Sequence, residues 1–284
     1  MPELAYVNGT FGPIDQARVP IEDRGFQFGD GIYEVVVAYN RRLFLLDRHM
    51  QRLRRSAEGI RLLFDFTQRP LEPIMHEGLE RSGFSDAMIY IQITRGVAPR
   101  NHLIPEGISP TIVMTFKPLP KVPDELRHRG VRLMTTLDVR WTNCFIKSNT
   151  LLPNVLARDE AVGCGFDDAL FVTEAGKVRE CTASNIFVAT GGVLRYPALT
   201  ESILHGVTQA FLVECAAGLG VAAEESAIDL DTLLAADEVF QSGTTTEVLG
   251  VTTVNDRKIG DGRVGPLTRR LYDEFLARVR ALSA

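Results

Sequence analysis

The 284-residue chain has no apolar run approaching membrane-spanning length, and it has no excess of positive charge. Its 31 Lys and Arg stand against 36 Asp and Glu, a net charge of −5. A nucleic-acid partner would leave a basic footprint, so none is expected, and no membrane partner is expected either. Cysteine is scarce. Cys144, Cys164, Cys181 and Cys215 show no C-x-x-C spacing and no pairing with histidine, so neither a metal site nor a disulfide framework is expected. Cys144 and Cys181 read as small buried hydrophobes. Internal repeats and low-complexity tracts are missing. The first residues do not read as a signal peptide, and the expected location is cytoplasmic. What remains is an ordinary soluble composition, 45% apolar and 24% charged, long enough for two modest domains.

Residues 4–8 and 10–14 read as a hairpin around Asn8-Gly9. Glu22 to Glu34 reads as a charged, glycine-punctuated loop leading to a buried strand at Val35-Val36-Val37. Leu46, Met50, Leu53, Ala57, Ile60 and Phe64 recur at helical spacing and predict an amphipathic helix over 46–64, with Asp47 as N-cap. A second helix is expected over 71–81. From Ala87 to Arg95 the pattern alternates, with Ile89, Ile91 and Ile93 on one face and Tyr90 and Gln92 on the other. The second face suits a strand lining a pocket. Arg100 and His102 then lie two apart on a loop and project the same way. They form either a carboxylate or phosphate trap or an incidental exposed pair.

Three prolines in Lys117–Pro123 mark a stiff linker. The expected domains are 1–118 and 125–284, joined by 119–124. Strands are expected at 130–136, 168–173, 177–180 and 184–189. Helices are expected over 150–162, from Leu204-His205-Gly206-Val207-Thr208 through Cys215, and from Gly265 to Leu282.

The stretch Cys144-Phe145-Ile146-Lys147-Ser148-Asn149-Thr150 places one lysine after an apolar run and before an expected helix start. Ser148, Asn149 and Thr150 are all good N-caps, and Pro153 suits a first turn. Lys147 is either an amine nucleophile at the mouth of a core or a lysine laying its stem along apolar surface. Glu180 occupies a strand position where an apolar residue is expected. It either faces water on an edge strand or is buried against a cation. Gly206-Val207-Thr208 opens a helix, and Gly243-Thr244-Thr245 ends a strand. Both are small-residue turns that suit phosphate oxygens.

A lysine, a strand carboxylate and two phosphate cradles are the parts that a pyridoxal phosphate enzyme needs. Together with Asp23-Arg24-Gly25-Phe26-Gln27-Phe28-Gly29-Asp30-Gly31-Ile32-Tyr33-Glu34 and Ser184-Asn185-Ile186-Phe187, they make the chain resemble the fold-type IV (class IV) pyridoxal phosphate aminotransferases nearly end to end. It looks most like those acting on D-amino acids. The resemblance implies a two-domain α/β (α+β) fold, with a smaller N-terminal α/β domain and a larger C-terminal pseudo-barrel. It implies pyridoxal 5'-phosphate as cofactor, D-amino acids and 2-oxo acids as substrates, ping-pong transamination and a homodimer. Lys147 becomes the Schiff-base lysine and proton shuttle, and Glu180 the partner of the pyridine nitrogen. Arg52, Val207, Thr208, Gly243, Thr244 and Thr245 hold the phosphate, and Leu204 braces the ring. Tyr33 traps the substrate carboxylate with Arg100 and His102, a pair that in this family reaches across the dimer interface, and Tyr90 is nearby. Branched-chain L-aminotransferases, (R)-amine transaminases and aminodeoxychorismate lyases share the fold and stand as alternatives. Cys181-Thr182-Ala183 departs from the serine-rich run that the family carries there, and His205 replaces a frequent lysine.

Overall fold

The computed structural model describes residues 3–283 and separates into two compact units. In the first unit, β1 (Leu4–Val7) and β2 (Thr10–Pro13) form the hairpin that Asn8-Gly9 predicts, with Asn8 at φ 44° and Gly9 at φ 102°. There follow α1 (Arg24–Phe28), β3 (Gly31–Tyr39), β4 (Arg42–Leu43), α2 (Leu46–Gly59), α3 (Glu72–Ser82), β5 (Ala87–Thr94) and β6 (Thr111–Pro118). Among the described residues, the strands form one six-stranded antiparallel sheet in the order β2-β1-β6-β5-β3-β4.

Strand alternation decides what each face of this sheet carries. Ile32, Val36, Ile89, Ile91 and Ile93 fall on one face and are fully buried. Burying each such side chain contributes about 1.5–3 kcal/mol. Glu34 lies in the middle of this face, where α2 packs on β3. Tyr33, Val35, Tyr90 and Gln92 fall on the other face, and all are half-buried.

Three local expectations need correction. Residues 24–28 are a short helix and not a loop. The Asp23 carboxylate caps it by accepting the Gly25 N–H at 2.8 Å, and Gly29 ends it at φ 66°. The second helix, α2, stops at Gly59, five residues before Phe64. Leu62 N–H reaches back to Ala57 O while Arg61 takes φ 54°, a left-handed C-terminal closure. Its N-cap is Leu45 at φ 52°. Asp47 sits inside the first turn, where it complements the helix dipole.

The second unit comprises Lys121–Phe145 and Leu151–Ala281. It contains α4 (Asp124–Arg129), β7 (Val131–Leu137), α5 (Leu152–Gly163), β8 (Asp168–Val172), β9 (Val178–Cys181), β10 (Asn185–Thr190) and β11 (Val193–Pro197). After these come α6 (Val207–Gly218), β12 (Ala223–Ser226), α7 (Leu230–Leu234), β13 (Glu238–Gly243), β14 (Glu247–Val254), β15 (Arg257–Lys258) and α8 (Pro266–Ser283). Among the described residues, a nine-stranded mixed sheet runs β12-β11-β10-β13-β14-β7-β8-β9, with β15 on β14. The end strand β9 returns to β10 through Cys181 N–H to Ser184 O, so the sheet curls. Its core joins Leu133, Leu170, Val188, Val239 and Val251 to Ile186 and Cys181. This is the mixed α/β, two-unit architecture that the resemblance implies.

One segment departs from sequence order. Ile146–Thr150 clusters with the first unit, although both flanks belong to the second. Backbone bonds hold it there: Tyr33 N–H to Lys147 O at 2.9 Å, Asn149 N–H to Gly31 O at 3.1 Å, and an isolated bridge between Ile32 and Ser148. Gly31 is required at the approach. A Cβ there would lie 2.7 Å from the Asn149 amide nitrogen and 2.9 Å from Ile93 O. Ser148, Asn149 and Thr150 therefore do not cap a helix. The fifth helix starts at Leu152 with Leu151 as an N-cap that makes no side-chain bond, and Pro153 lies in its first turn. No helix among the described residues is long and apolar enough to cross a membrane.

Candidate active site

In the first unit, Lys147 is pinned from two sides. Its N–H donates to Ser56 Oγ on α2 at 3.1 Å, and its carbonyl accepts from Tyr33 on β3. The half-buried side chain lays its ammonium over the Tyr33 ring, 4.1 Å from the centroid. Tyr33 stacks on Tyr90 at 5.6 Å, and Tyr90 Oη donates to Gln92 Oε1 at 2.7 Å. Burial, with the neighbouring Tyr33, pushes the Tyr90 phenol up to about 12. The structure thus brings Lys147, Tyr33 and Tyr90 together on the polar face of the sheet.

Arg52 lies on α2, one turn before the Ser56 that receives the Lys147 N–H. Its Nε donates to Glu34 Oε2 at 2.9 Å and its Nη2 to Oε1 at 2.6 Å, while His49 Nδ1 lies 3.1 Å from the same carboxylate. All three are buried. Burial alone would raise the Glu34 carboxyl, but the Arg52 charge and the His49 contact outweigh it and hold it far below the usual range. Burial likewise drives the His49 imidazole down, against the upward pull of its Glu34 neighbour. Glu34 and His49 were not recognised from sequence as partners of Arg52. The signal was present, because an acid in a fully buried strand needs a cation.

Arg100 and His102 sit on an exposed loop of the same unit and converge on one ring. The Arg100 guanidinium lies 4.6 Å from the Phe28 centroid, and the His102 ring lies 5.4 Å from it.

In the second unit, Glu180 is buried. It takes Arg140 Nη1 at 2.7 Å, the Leu204 N–H at 3.2 Å and Asn185 Nδ2 at 3.3 Å. Asn185 also donates to Leu204 O at 2.8 Å, which fixes Leu204 beside the carboxylate. Arg140 in turn takes both oxygens of Asp138, each at 2.9 Å. Burial opposes the Arg140 charge, but Asp138 and Glu180 outweigh it and raise its pKa. Arg140 is the cation that a buried Glu180 needs, and sequence reasoning missed it.

The phosphate-cradle residues have the local geometry that anions use. Val207 and Thr208 open the twelve-residue helix α6 behind Gly206. Thr244, Thr245 and Thr246 form the half-buried turn between the paired residues Gly243 and Glu247. Glu247 adopts φ 58° and pairs with Arg127, which fixes the turn from α4. Thr182 does not take up the role of the family's serines. Its hydroxyl is committed to Asp168, and its carbonyl to Asn154 Nδ2 at 2.8 Å.

A phosphate-bearing pyridine fits these residues. Gln209 Nε2, in the first turn of α6, and Ser242 Oγ, just before the threonine turn, are buried polar atoms without protein partners. Both are buried polar atoms left open in the stretches that the resemblance assigns to the phosphate. Among the described residues, no cluster of His, Cys, Asp or Glu is arranged to hold a metal.

The amino-transferase class IV family pattern matches residues 31–254. The chain belongs to the class IV aminotransferases. As such it is a pyridoxal-phosphate-dependent enzyme that transfers amino groups. It is similar to the D-alanine aminotransferase of Bacillus licheniformis, with 38% identity over 264 residues and 93% of each chain covered. It is also similar to the D-alanine aminotransferase of Staphylococcus haemolyticus, with 35% identity over 98% of this chain and 99% of that one. Among solved structures, it resembles the T.th. branched-chain amino acid aminotransferase with pyridoxamine 5'-phosphate. The TM-score is 0.90 and the identity 26%, over 98% of this chain and 94% of that one. A branched-chain aminotransferase from Thermoproteus uzoniensis matches at TM-score 0.89 and 27% identity, over 98% and 95% of the two chains.

Proposed function

We propose that this aminotransferase moves the amino group of D-amino acids, of the D-alanine and D-glutamate type, to 2-oxo acids in two half-reactions. The observation that carries the reading is the Arg100–His102 pair. Among the described residues neither side chain pairs with a carboxylate, and both lie against Phe28. The relatives named D-alanine aminotransferase share 35–38% of their residues with this chain. The branched-chain aminotransferases match more weakly in sequence while sharing the fold, and a fold does not choose a substrate.

When bound, pyridoxal phosphate supplies an aldehyde that takes up the amino group and a ring that accepts electrons from the α-carbon. Lys147 Nζ would hold the cofactor aldehyde at rest and, once freed by the incoming donor amine, would take up the α-proton and return it. The Tyr33 face lies 4.1 Å from that amine and orients it. Glu180 would accept the ring-nitrogen N–H and keep that proton in place, with Arg140 and Asn185 fixing the carboxylate. Leu204 braces the ring. Val207, Thr208, Gly243, Thr244 and Thr245 hold the phosphate, with Arg52 oriented by Glu34. Arg100, His102 and Tyr33 receive the substrate carboxylate, with Tyr90 at its side.

We place the enzyme in the cytoplasm as a homodimer. Its four unbridged cysteines fit a reducing compartment. Leu152, Val155 and Leu156 on α5 are exposed at 66%, 59% and 60%, an apolar stripe that a second copy would cover. The test is a panel of paired D- and L-amino donors with 2-oxoglutarate. D-Alanine should yield pyruvate and D-glutamate, while L-leucine, L-valine and L-isoleucine give little product. A preference for those L-donors would overturn the reading in favour of a branched-chain enzyme.

A further inference from the structure

The segment Glu22–Asp30 carries charges with no assigned work, and it meets the Arg100–His102 loop at three levels. At the root, Arg24 N–H donates to Gly96 O at 2.9 Å and Ala98 N–H to Glu22 O at 3.2 Å. At the tip, Arg24 Nη1 donates to Asn101 O at 2.6 Å, which pins the residue between Arg100 and His102. Between root and tip stands Phe28. Its ring centroid is 4.9 Å from the Arg24 guanidinium, 4.6 Å from that of Arg100 and 5.4 Å from the His102 ring.

Charge accounting separates these cations. Arg24 and Arg95 both hold Asp30, each with a contact at 2.8 Å. Both are thus paired with the one Asp30 carboxylate, which they share, and both guanidinium groups are buried. Arg100 is exposed. Among the described residues its contacts are the Phe28 ring and the Gln27 carbonyl at a long 3.4 Å. A carboxylate partner would have fixed Arg100 and also neutralised it, and would then compete with any incoming carboxylate. An aromatic face orients a guanidinium without cancelling its charge. It also removes rotamer freedom that would otherwise be lost on binding.

We propose that Phe28 is a specificity-positioning residue, the platform on which Arg100 and His102 are held ready for the substrate α-carboxylate, with Arg24 as its strut. This rests on the reading of Arg100 and His102 as the carboxylate receptor.

The experiment uses the holoenzyme and two probes, D-alanine as donor and propionate as a competing carboxylate without an amino group. Phe28→Leu and Phe28→Met remove the π face and keep apolar bulk. Each should raise the D-alanine KM and the propionate inhibition constant together, by roughly three- to tenfold, the size expected of a lost cation–π contact. Their kcat should stay within about twofold, since the ring touches no reacting atom. Phe28→Tyr keeps the ring and should restore both constants. If the aliphatic variants leave both constants unchanged while Arg100→Ala raises them, the platform is refuted and the receptor stands. If Arg100→Ala also leaves them unchanged, the receptor reading falls and takes the platform with it. A fall in kcat at an unchanged propionate constant also overturns the proposal. Nitrogen-15 relaxation of the wild-type Arg100 Nε tests the same point without a variant. It should be as ordered as the buried Arg95, and mobility like that of the exposed Arg257 would refute the platform.

Discussion

Replacing Arg140 by methionine tests the electrostatic centre of the second unit. Arg140 Nη1 lies 2.7 Å from Glu180, and two further nitrogens each lie 2.9 Å from Asp138. The three side chains are exposed by only 6%, 7% and 10% for Arg140, Glu180 and Asp138 respectively. Methionine keeps apolar bulk against Phe171, whose ring centroid lies 4.2 Å from the guanidinium carbon, and removes only the charge and its donors. With charge centres roughly 4 Å apart and an effective dielectric near 20, each lost pairing is worth about 4 kcal/mol before desolvation is counted. Breaking a buried pair on one side typically costs about 3–5 kcal/mol, because the other charge stays buried. We therefore expect Arg140→Met to lower unfolding stability by about 3–5 kcal/mol, or a Tm fall of roughly 6–20 °C. Calorimetry of the cofactor-free protein at pH 7.5 isolates this from cofactor binding. Arg140→Met with Glu180→Gln should recover a large part of the loss, giving a coupling energy above about 1 kcal/mol. A single-variant cost below about 1 kcal/mol, additive with Glu180→Gln, would refute the pairing argument.

Borohydride reduction followed by peptide mapping should place the pyridoxyl adduct on Lys147, and an adduct on Lys117, Lys121, Lys177 or Lys258 would move the site elsewhere. Glu180→Gln should retain cofactor and lose roughly a hundredfold or more in turnover, as expected on losing a preorganised charge partner; unchanged turnover would remove Glu180 from the ring nitrogen. Glu34 is held below its ordinary value of 4.5, so its contribution is fully present above that pH and is lost as the pH falls through the depressed folded value. Glu34→Gln should accordingly lower stability at pH 7 and flatten the acid limb of the stability profile, and an unaltered limb would show that the Arg52 pair contributes nothing there. Tyr90 holds its proton to about 12, against 10 for an ordinary phenol. Stability should fall as the pH rises between those values, because the unfolded chain releases the proton that the folded state retains, and Tyr90→Phe should remove that part of the alkaline loss.

Features written in neighbouring residues were legible in the sequence. Asn8-Gly9 specifies a hairpin because both residues tolerate positive φ, and the Ala87–Thr94 alternation specifies a strand with two unlike faces. The parts list of a pyridoxal enzyme was legible too, because that chemistry needs few residue types in recognisable local settings. Helix ends were less secure. Asp47 and the Ser148-Asn149-Thr150 run are good caps by composition, yet Leu45 and Leu151 occupy the cap positions. In the second case β3 had already claimed the backbone that a helix would have used.

Only the tertiary structure decided which charges meet. Glu180 finds Arg140 forty residues away, and Glu34 finds Arg52 eighteen away on the helix packed across β3. It also carried Lys147, ninety-one residues beyond Ser56, onto the first unit's strand and helix. Local pattern says that a buried carboxylate must have a partner, because burial without one is costly. It does not say which partner, because that depends on which strands lie side by side and which face of each helix packs on them.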